Sequence, residues 1–410
     1  MKLKYLLLGI LIPLMMFVVI ACEETDDPED KTVPVPTITS IEPVAGYPGE
    51  EVTVTGTNFN PVHSLNLIEL TDDAVFFLET VQPTAGSVTS LTFTRPNISG
   101  VGVTIDAWLA VRNLEDAEEK ISDSVAIAML PIFDIITVDS IPKTKGGVAH
   151  DAAGNLYVRG QDPGDIYKIT PEGVQTYFGK THWGEGELTV GPDGSVYACV
   201  VWGDFGTWKI PPTGGEGELF VSEAEASMPF CLDWDDDQNF YIGGADGAIY
   251  RRVDATGTVE KIFAGGGWGS PMRIYNDDIY WYTKGADSTL NGLFSAPIPA
   301  VGDTIPASSI TTILASEDYG PSGLAADGMG NIYLMTNWVD KDDRTVPGML
   351  KRITPAGVVE DVYELPTQNP NKAAWYDNKI YVAAGDLGNK VYVLHLGEEY
   401  GTGAVPSYNW

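Results

Sequence analysis

The sequence predicts an all-β protein in which a small antiparallel sandwich is followed by a six-bladed β-propeller closed by an N-terminal strand. Short segments alternate apolar and polar residues between Gly, Pro, Asn and Asp, which is typical of strands joined by turns. From about residue 132, a turn rich in Asp, Gly and Asn leads six times into an apolar strand that carries a tyrosine. These copies lie 39 to 53 residues apart, which is room for four short strands in each repeat.

Composition and charge exclude several classes of protein. The 410 residues are 44% hydrophobic, which is enough to build more than one core. Lys and Arg number 24 against 57 Asp and Glu, and the resulting formal charge of -33 is spread along the chain. Because a surface of that sign repels phosphate backbones, we expect no nucleic-acid partner.

Residues 1–22 have the layout of a secretory signal. Lys2 and Lys4 precede an apolar run that ends in small residues before Cys22. The ending VIAC resembles a bacterial lipobox, which implies that Cys22 is lipidated and becomes the first residue of the mature protein. Acyl chains would then hold the protein on a membrane, at about 0.8 kcal/mol per buried methylene. An uncleaved anchor helix is the alternative.

Residues 23–33 form an acidic segment without an apolar period, which predicts a solvated tether. The segment resembles the signal that sends lipoproteins of Bacteroidota-type bacteria to the outer face of the outer membrane. The resemblance implies a lipid-anchored protein that faces the cell exterior. A charged linker without an addressing role is the alternative.

Residues 34–130 are predicted to form the sandwich. In VPTITSIEPVAGYPGEEVTVTGTNF, Ile38 and Ile41 precede Pro43, and the alternation around Val52 leads to Phe59. This stretch resembles the opening motif of the immunoglobulin-like IPT/TIG domain. The resemblance implies a spacer or interaction module, and we identify no catalytic set in it.

Residues 131–396 are predicted to form the propeller, and residues 397–410 a surface tail. The six copies resemble the repeats of NHL-type six-bladed β-propellers. The last repeat supplies three strands, and Ile132–Val138 has the alternation of a fourth. Because an open ring would expose an unpaired strand edge, we expect this N-terminal strand to close it. The copies are DAAGNLYV, GPDGSVYA, DDDQNFYI, YNDDIYW, DGMGNIYL and YDNKIYV.

Propeller topology predicts one aromatic face. With the strands of a blade named a to d from the axis outward, the d-to-a and b-to-c connections share one end of the ring. Aromatic rings there would bind sugars or peptides, since a flat ring buries area at little conformational cost. The alternative is that these rings cover the core between blades. Glu187 and Asp204 are among the carboxylates predicted beside the rings. The predicted ligand-binding residues are Trp183, Trp202, Phe205, Trp268, Tyr319 and Trp338.

No cofactor is predicted, and calcium in one loop is the alternative. Asp233, Asp235 and Asp237 have the alternate spacing of calcium ligands, but the loop lacks the glycine and the closing glutamate of a calcium loop, and it aligns with the ordinary turn of other repeats. The stretch GPSGLAADGMGNIYL is close to gluconolactonase-like propellers. Those have a metal-binding asparagine where this chain has Ser322, which argues against metal-dependent lactone hydrolysis.

Two further residue types leave alternatives open. His150 is predicted on an inner strand, either facing the central channel as a base or packed in the core. Cys199 and Cys231 are predicted on adjacent blades, either bonded to each other or buried as free thiols.

Three functional hypotheses follow. The first is a non-catalytic cell-surface lipoprotein that binds a glycan or similar polymeric nutrient on the aromatic face and supports outer-membrane uptake, with a TonB-dependent transporter as partner. The second is a propeller enzyme, a lactonase, lyase or hydrolase, that acts on a surface glycan. The third is a structural partner of an outer-membrane transporter, whose aromatic face contacts protein.

Overall fold

The computed structural model describes most of the chain between residues 34 and 396. Predictions for residues 1–33, including lipidation of Cys22, and for the tail at 397–410 lie outside the described residues. Within the described part the regular secondary structure is β-strand apart from two 3-10 helices, η1 (His63–Leu65) and η2 (Ala307–Ser309). No helix in that part is long and apolar enough to cross a membrane. The described ranges are 34–72, 77–96, 104–114, 120–131, 133–144, 146–160, 164–182, 186–201, 203–265, 268–284, 292–315, 320–337, 348–365, 370–384 and 388–396.

The first ten strands form two sheets. They are β1 (Thr37–Glu42), β2 (Ala45–Gly46), β3 (Glu51–Thr57), β4 (Asn66–Asp72), β5 (Phe77–Val81), β6 (Ala85–Gly86), β7 (Ser90–Thr94), β8 (Ile105–Asn113), β9 (Lys120–Ile121) and β10 (Val125–Met129). One sheet has the order β1-β3-β7-β6, and the other has the order β2-β10-β8-β4-β5 with β9 beside β8.

The sandwich core lies between these sheets. Val52 and Val54 of β3 alternate with more exposed threonines, and both pack in one buried cluster with Leu70 of β4 and Leu109 of β8. Alternation with period two therefore selects the residues that face the other sheet, as the sequence predicted.

The remaining strands belong to the repeats. They are β11 (Phe133–Thr137), β12 (Val148–His150), β13 (Leu156–Arg159), β14 (Asp165–Ile169), β15 (Gln175–Lys180), β16 (Leu188–Val190), β17 (Val196–Val200), β18 (Gly206–Ile210), β19 (Gly215–Glu216), β20 (Glu218–Ser222), β21 (Pro229–Trp234), β22 (Phe240–Gly244), β23 (Ile249–Arg252), β24 (Val259–Phe263), β25 (Trp268–Tyr275), β26 (Asp278–Lys284), β27 (Gly292–Pro297), β28 (Thr311–Ala315), β29 (Gly320–Ala326), β30 (Ile332–Asn337), β31 (Met349–Ile353), β32 (Val359–Glu364), β33 (Pro370–Tyr376), β34 (Lys379–Ala384) and β35 (Lys390–His395).

In the described residues these strands form six sheets, named I to VI in chain order. Sheet I contains β12-β13-β14-β15 with β19 added in parallel, and sheet II contains β16-β17-β18-β20. Sheets III, IV and V are the meanders β21 to β24, β25 to β28 and β29 to β32. Sheet VI has the order β33-β34-β35-β11, with Phe133 of β11 opposite Leu394 and Thr137 opposite Lys390.

The first strands of the sheets contact one another in chain order: β12 with β16, β16 with β21, β21 with β25, β25 with β29 and β29 with β33. β33 in turn contacts β12. Apolar clusters fill the space between neighbouring sheets, as where Tyr157 of sheet I packs in one cluster with Val196 of sheet II. Four-stranded antiparallel sheets repeated in this way define a β-propeller fold.

A local hydrogen-bond motif explains the repeated turn. In sheet V, the Asp327 carboxylate accepts bonds from the Asn331 backbone N–H (2.9 Å), the Asn331 side-chain amide (2.7 Å) and the Tyr333 hydroxyl (3.1 Å). Asp151 and Asp235 make the same three kinds of contact in sheets I and III. The recurrence of Asp, Asn and Tyr in the sequence therefore comes from a carboxylate that closes the turn between the first two strands.

Candidate functional site

The structure describes little of the predicted aromatic face. Trp183, Trp202, Tyr319 and Trp338 lie outside the described residues. Trp268 is the first residue of β25, so its backbone already belongs to the innermost strand of sheet IV. Phe205 is half-buried immediately before β18. The grouping of the six aromatic residues stays a prediction.

Two connections meet at the end of the sheets where that face was predicted. His182 follows β15, and Asp204 lies between β17 and β18. His182 Nδ1 lies 3.4 Å from Asp204 Oδ2, and the His182 ring lies 4.4 Å from the Trp208 ring, centroid to centroid. Trp208 also donates its indole N–H to the Asp204 carbonyl (3.2 Å). The connection into sheet II therefore contacts the connection between its second and third strands, as propeller topology requires.

A buried ion pair and its hydrogen bonds join four sheets near the axis. Glu187, immediately before β16, forms an ion pair through Oε1 with Arg273 Nη2 of β25. Its other oxygen accepts a bond from the Leu232 backbone N–H (3.3 Å). Arg273 also donates to the carbonyl of Ala373 in β33 (3.0 Å), so its guanidinium reaches sheets II and VI from sheet IV. Glu187 is 1% exposed, so the prediction that it offers an exposed carboxylate to a ligand is wrong.

Two more charged side chains are buried on the first strands. Lys372 of β33 donates through Nζ to the Phe230 carbonyl (3.0 Å). Asp233 of β21 accepts bonds from the backbone N–H groups of Ile274 (2.7 Å) and Trp234 (3.0 Å). Burial raises the pKa of Asp233 to about 7, although nearby Arg273 and these two N–H groups favour the carboxylate. These acids and bases hold the inner strands of several sheets together.

The raised pKa of Asp233 predicts a stability that depends on pH. The unfolded chain releases this proton near pH 4 and the folded protein near pH 7, so the free energy of unfolding should fall between these values as the pH rises. The largest slope from one proton is about 1.4 kcal/mol per pH unit. Urea unfolding of the wild type and of Asp233→Asn should show the wild type losing stability relative to the variant across this range. If the difference in unfolding free energy between the wild type and Asp233→Asn does not change with pH, the raised pKa of Asp233 is contradicted.

A cavity of about 120 Å³ lies among the first strands of the six sheets. His150 at the end of β12 lines it, while its ring stacks on Tyr376 with centroids 4.8 Å apart. Burial lowers the pKa of His150 to about 3, so its imidazole is neutral at physiological pH. His150 therefore packs against an aromatic ring and also lines the axial cavity, and its lowered pKa disfavours the base alternative.

The calcium alternative has little support in the structure. The Asp235 carboxylate is occupied by Asn239 and Tyr241, and Asp233 by backbone N–H groups, while Asp237 is exposed. Across the described ranges, no group of three or more His, Cys, Asp or Glu side chains is placed to hold a metal ion. Ser322 is buried and its hydroxyl donates to the Met335 carbonyl (3.4 Å).

The two described cysteines are buried thiols that form no disulfide. Cys199 lies on β17 and Cys231 on β21, and they are not bonded to each other. Burial raises the pKa of Cys199, and it raises that of Cys231 to about 12. Because a thiolate is the reactive form, neither thiol is activated as a nucleophile.

Sequence reasoning missed a contact between the sandwich and the repeats. Tyr47 stacks on His395 of β35 with ring centroids 3.6 Å apart and an interplanar angle of 10°. His395 Nε2 lies 3.1 Å from Asp134 Oδ2. A cleft of about 510 Å³ lined by both parts of the chain, including Glu50 and Lys379, lies beside this stack. Neither Tyr47 nor His395 is distinguished by its sequence context. In contrast, Asp233 and Arg273 are single charged residues within apolar strands, and that pattern indicates buried charged contacts near the axis.

Comparison with known proteins identifies the sandwich. Residues 36–107 match the family model of the IPT/TIG domain, which confirms the resemblance of that segment. The matched segment is less than half of the chain, so it classifies this domain alone. A search of curated proteins found no match.

Solved structures of low similarity cover most of the chain. An auxiliary nutrient binding protein from Bacteroides thetaiotaomicron is 10% identical, with a TM-score of 0.48 over 88% of this chain and 97% of that one. Another from Bacteroides ovatus is 14% identical, with a TM-score of 0.46 over 88% and 97%. A catalytically inactive virginiamycin B lyase from Staphylococcus aureus is 13% identical, with a TM-score of 0.46 over 85% and 100%. Structural similarity at these identities and TM-scores does not distinguish a binding protein from an enzyme.

Proposed function

We propose that this chain is a non-catalytic, lipid-anchored surface protein that binds a glycan or similar polymeric nutrient on one face of a closed six-bladed propeller. The sheets I to VI would be the six blades, with β11 as the outer strand of the last. The contact of β33 with β12 and the five-residue pairing of β11 with β35 support this closure. Anchoring through Cys22 and the acidic tether rests on the sequence of residues 1–33.

The contact between His182 and Asp204 is the observation that supports the proposed binding face. Trp183 follows His182 in the sequence, and Trp202 stands two residues before Asp204. His182 and Asp204, each close in sequence to one of the predicted aromatic residues, therefore lie in contact. The Asp204 carboxylate is exposed, and a carboxylate suits a ligand rich in hydroxyl groups.

The buried charged side chains near the axis favour binding of a ligand at a surface of the propeller over passage of a ligand through its centre. Glu187, Arg273 and Lys372 place charged side chains between the inner strands, and their hydrogen bonds join sheets across the axis.

An array of polysaccharides and peptides tests the proposal on protein lacking residues 1–33. Alanine at Trp183, Trp202, Trp268 or Trp338 should weaken binding several-fold to more than tenfold, since each stacking contact contributes about 1–2 kcal/mol. The matched control is Trp108→Ala, which removes an indole that is 39% exposed on the sandwich sheet. Equal effects at Trp108, or none at the other four positions, would contradict the proposal and favour a protein-protein role.

A further inference from the structure

A buried guanidinium of sheet I makes side-chain hydrogen bonds outside its own sheet. Arg159 is the last residue of β13, and it is fully buried. Its Nη2 donates to the His182 carbonyl (2.9 Å), and its Nη1 donates to the Cys199 carbonyl of β17. Burial lowers the pKa of Arg159 to about 10, and in the part of the chain that the structure describes no carboxylate offsets this effect.

The cost of burying this charge indicates what the side chain does. A buried cation without a counter-charge is unfavourable, so an arginine here does not add stability in the way that an apolar side chain would. What the guanidinium supplies is a rigid planar fork of N–H donors, which can hold two acceptors at one separation. Arg159 uses this fork to join the chain entering sheet II to the second strand of that sheet.

Both carbonyls lie shortly before predicted aromatic residues of the binding face. His182 directly precedes Trp183, and Cys199 stands three residues before Trp202. Beyond Trp183 the chain is fixed again at Glu187, whose carbonyl accepts a bond from the Cys199 backbone N–H (3.0 Å). Hydrogen bonds therefore hold the chain on both sides of Trp183, and Cys199 takes part on each side.

The side-chain contact at the surface cannot fix these connections by itself. The side chains of His182 and Asp204 are 49% and 70% exposed, and exposed pairs of this kind contribute little to rigidity. Arg159 binds the same region from the buried side, where water does not compete for the two carbonyls.

We propose that Arg159 is a positioning residue of the proposed binding face, which fixes the backbone of the two connections that carry Trp183 and Trp202 without itself contacting the ligand. This role rests on the proposed function, because it concerns the same face, and it adds a buried residue that sets the spacing of that face.

Hydrogen–deuterium exchange of the full chain in detergent, followed by mass spectrometry of its peptides, tests this role without any ligand. Arg159→Met should raise the exchange rates of amides in residues 182–187 and 201–205 about tenfold, because hydrogen bonds from a charged donor are lost there. If Arg159→Met does not fold, Arg159→Lys keeps the charge but lacks the planar fork, and it should raise the same rates at least about threefold.

The matched control is Arg251→Met. Arg251 of β23 is also buried, and it donates to the carbonyls of Pro299 (2.5 Å) and Ala300 (2.8 Å) in the connection between β27 and β28. Its replacement should raise exchange at residues 300–303. It should change the rates at 182–187 and 201–205 by less than about twofold, since distant sites act independently.

Isothermal titration with soluble starch, xylan and galactomannan gives a second measurement. Any of these polysaccharides that binds the wild type should bind Arg159→Met about five- to twentyfold more weakly, and Arg251→Met with an affinity within about twofold of the wild type. The role of Arg159 is overturned if exchange at 182–187 and 201–205 stays at the wild-type rate, if Arg251→Met raises it equally, or if a bound polysaccharide keeps its affinity for the Arg159 variant. Binding of none of the three counts against the proposed function, while the exchange rates still decide the role of Arg159.

Discussion

Replacement of Arg273 by alanine is expected to lower the free energy of unfolding by about 3–5 kcal/mol. The change would leave Glu187 buried without its partner and remove the hydrogen bond to the Ala373 carbonyl across the axis. A buried carboxylate without a counter-charge is costly, because the interior solvates it poorly. Urea unfolding followed by tryptophan fluorescence would measure the loss as a lower midpoint at unchanged slope.

The control for this prediction is an exposed ion pair. Lys180 Nζ lies 2.7 Å from Glu216 Oε1, and both side chains are largely exposed. Lys180→Ala should therefore leave the urea unfolding midpoint close to that of the wild type. The double variant Glu187→Gln with Arg273→Met should recover part of the loss, since it leaves neither charge unpaired. Equal effects of Arg273→Ala and Lys180→Ala would show that the axial pair does not hold the inner strands together.

Replacement of Phe133 by alanine is expected to cost about 3–5 kcal/mol of unfolding free energy. Phe133 of β11 is buried, and its ring packs edge-on against Tyr363 and Tyr392 with centroids 6.1 and 6.4 Å away. These partners lie on β32 and β35, so the side chain joins the closing strand to sheets V and VI. Thermal and urea unfolding should both report the loss.

Tyr177→Ala is the matched control for the closing strand. Tyr177 lies on the outer strand of sheet I and is 53% exposed, with one edge-on contact to Tyr167. Its removal should change the unfolding free energy by less than about 1 kcal/mol. If Phe133→Ala destabilises no more than this control, β11 does not contribute to the packing of sheet VI.

Contacts between residues close in sequence were predictable. The Asp327 turn binds Asn331 and Tyr333, four and six residues further on, so the motif is legible in the sequence at every repeat that uses it. Strand alternation likewise predicts that the tryptophans within strands, Trp208, Trp234, Trp281 and Trp375, pack inside the fold. The last three are buried, whereas Trp208 is half-buried. The carboxylates, amides and alternating apolar residues act within one hairpin, where chain connectivity already sets the geometry.

The sequence by itself determined that the described chain is all-β, that residues 36–107 resemble an IPT/TIG domain, and that a repeated hairpin unit follows. Only the tertiary structure decided that Glu187 pairs with Arg273 and that Tyr47 stacks on His395. Each of these pairs joins residues from different sheets, so no local pattern relates one partner to the other. Their meeting depends on how whole sheets are arranged in space, whereas the hairpins depend on backbone geometry and side-chain alternation within a few residues.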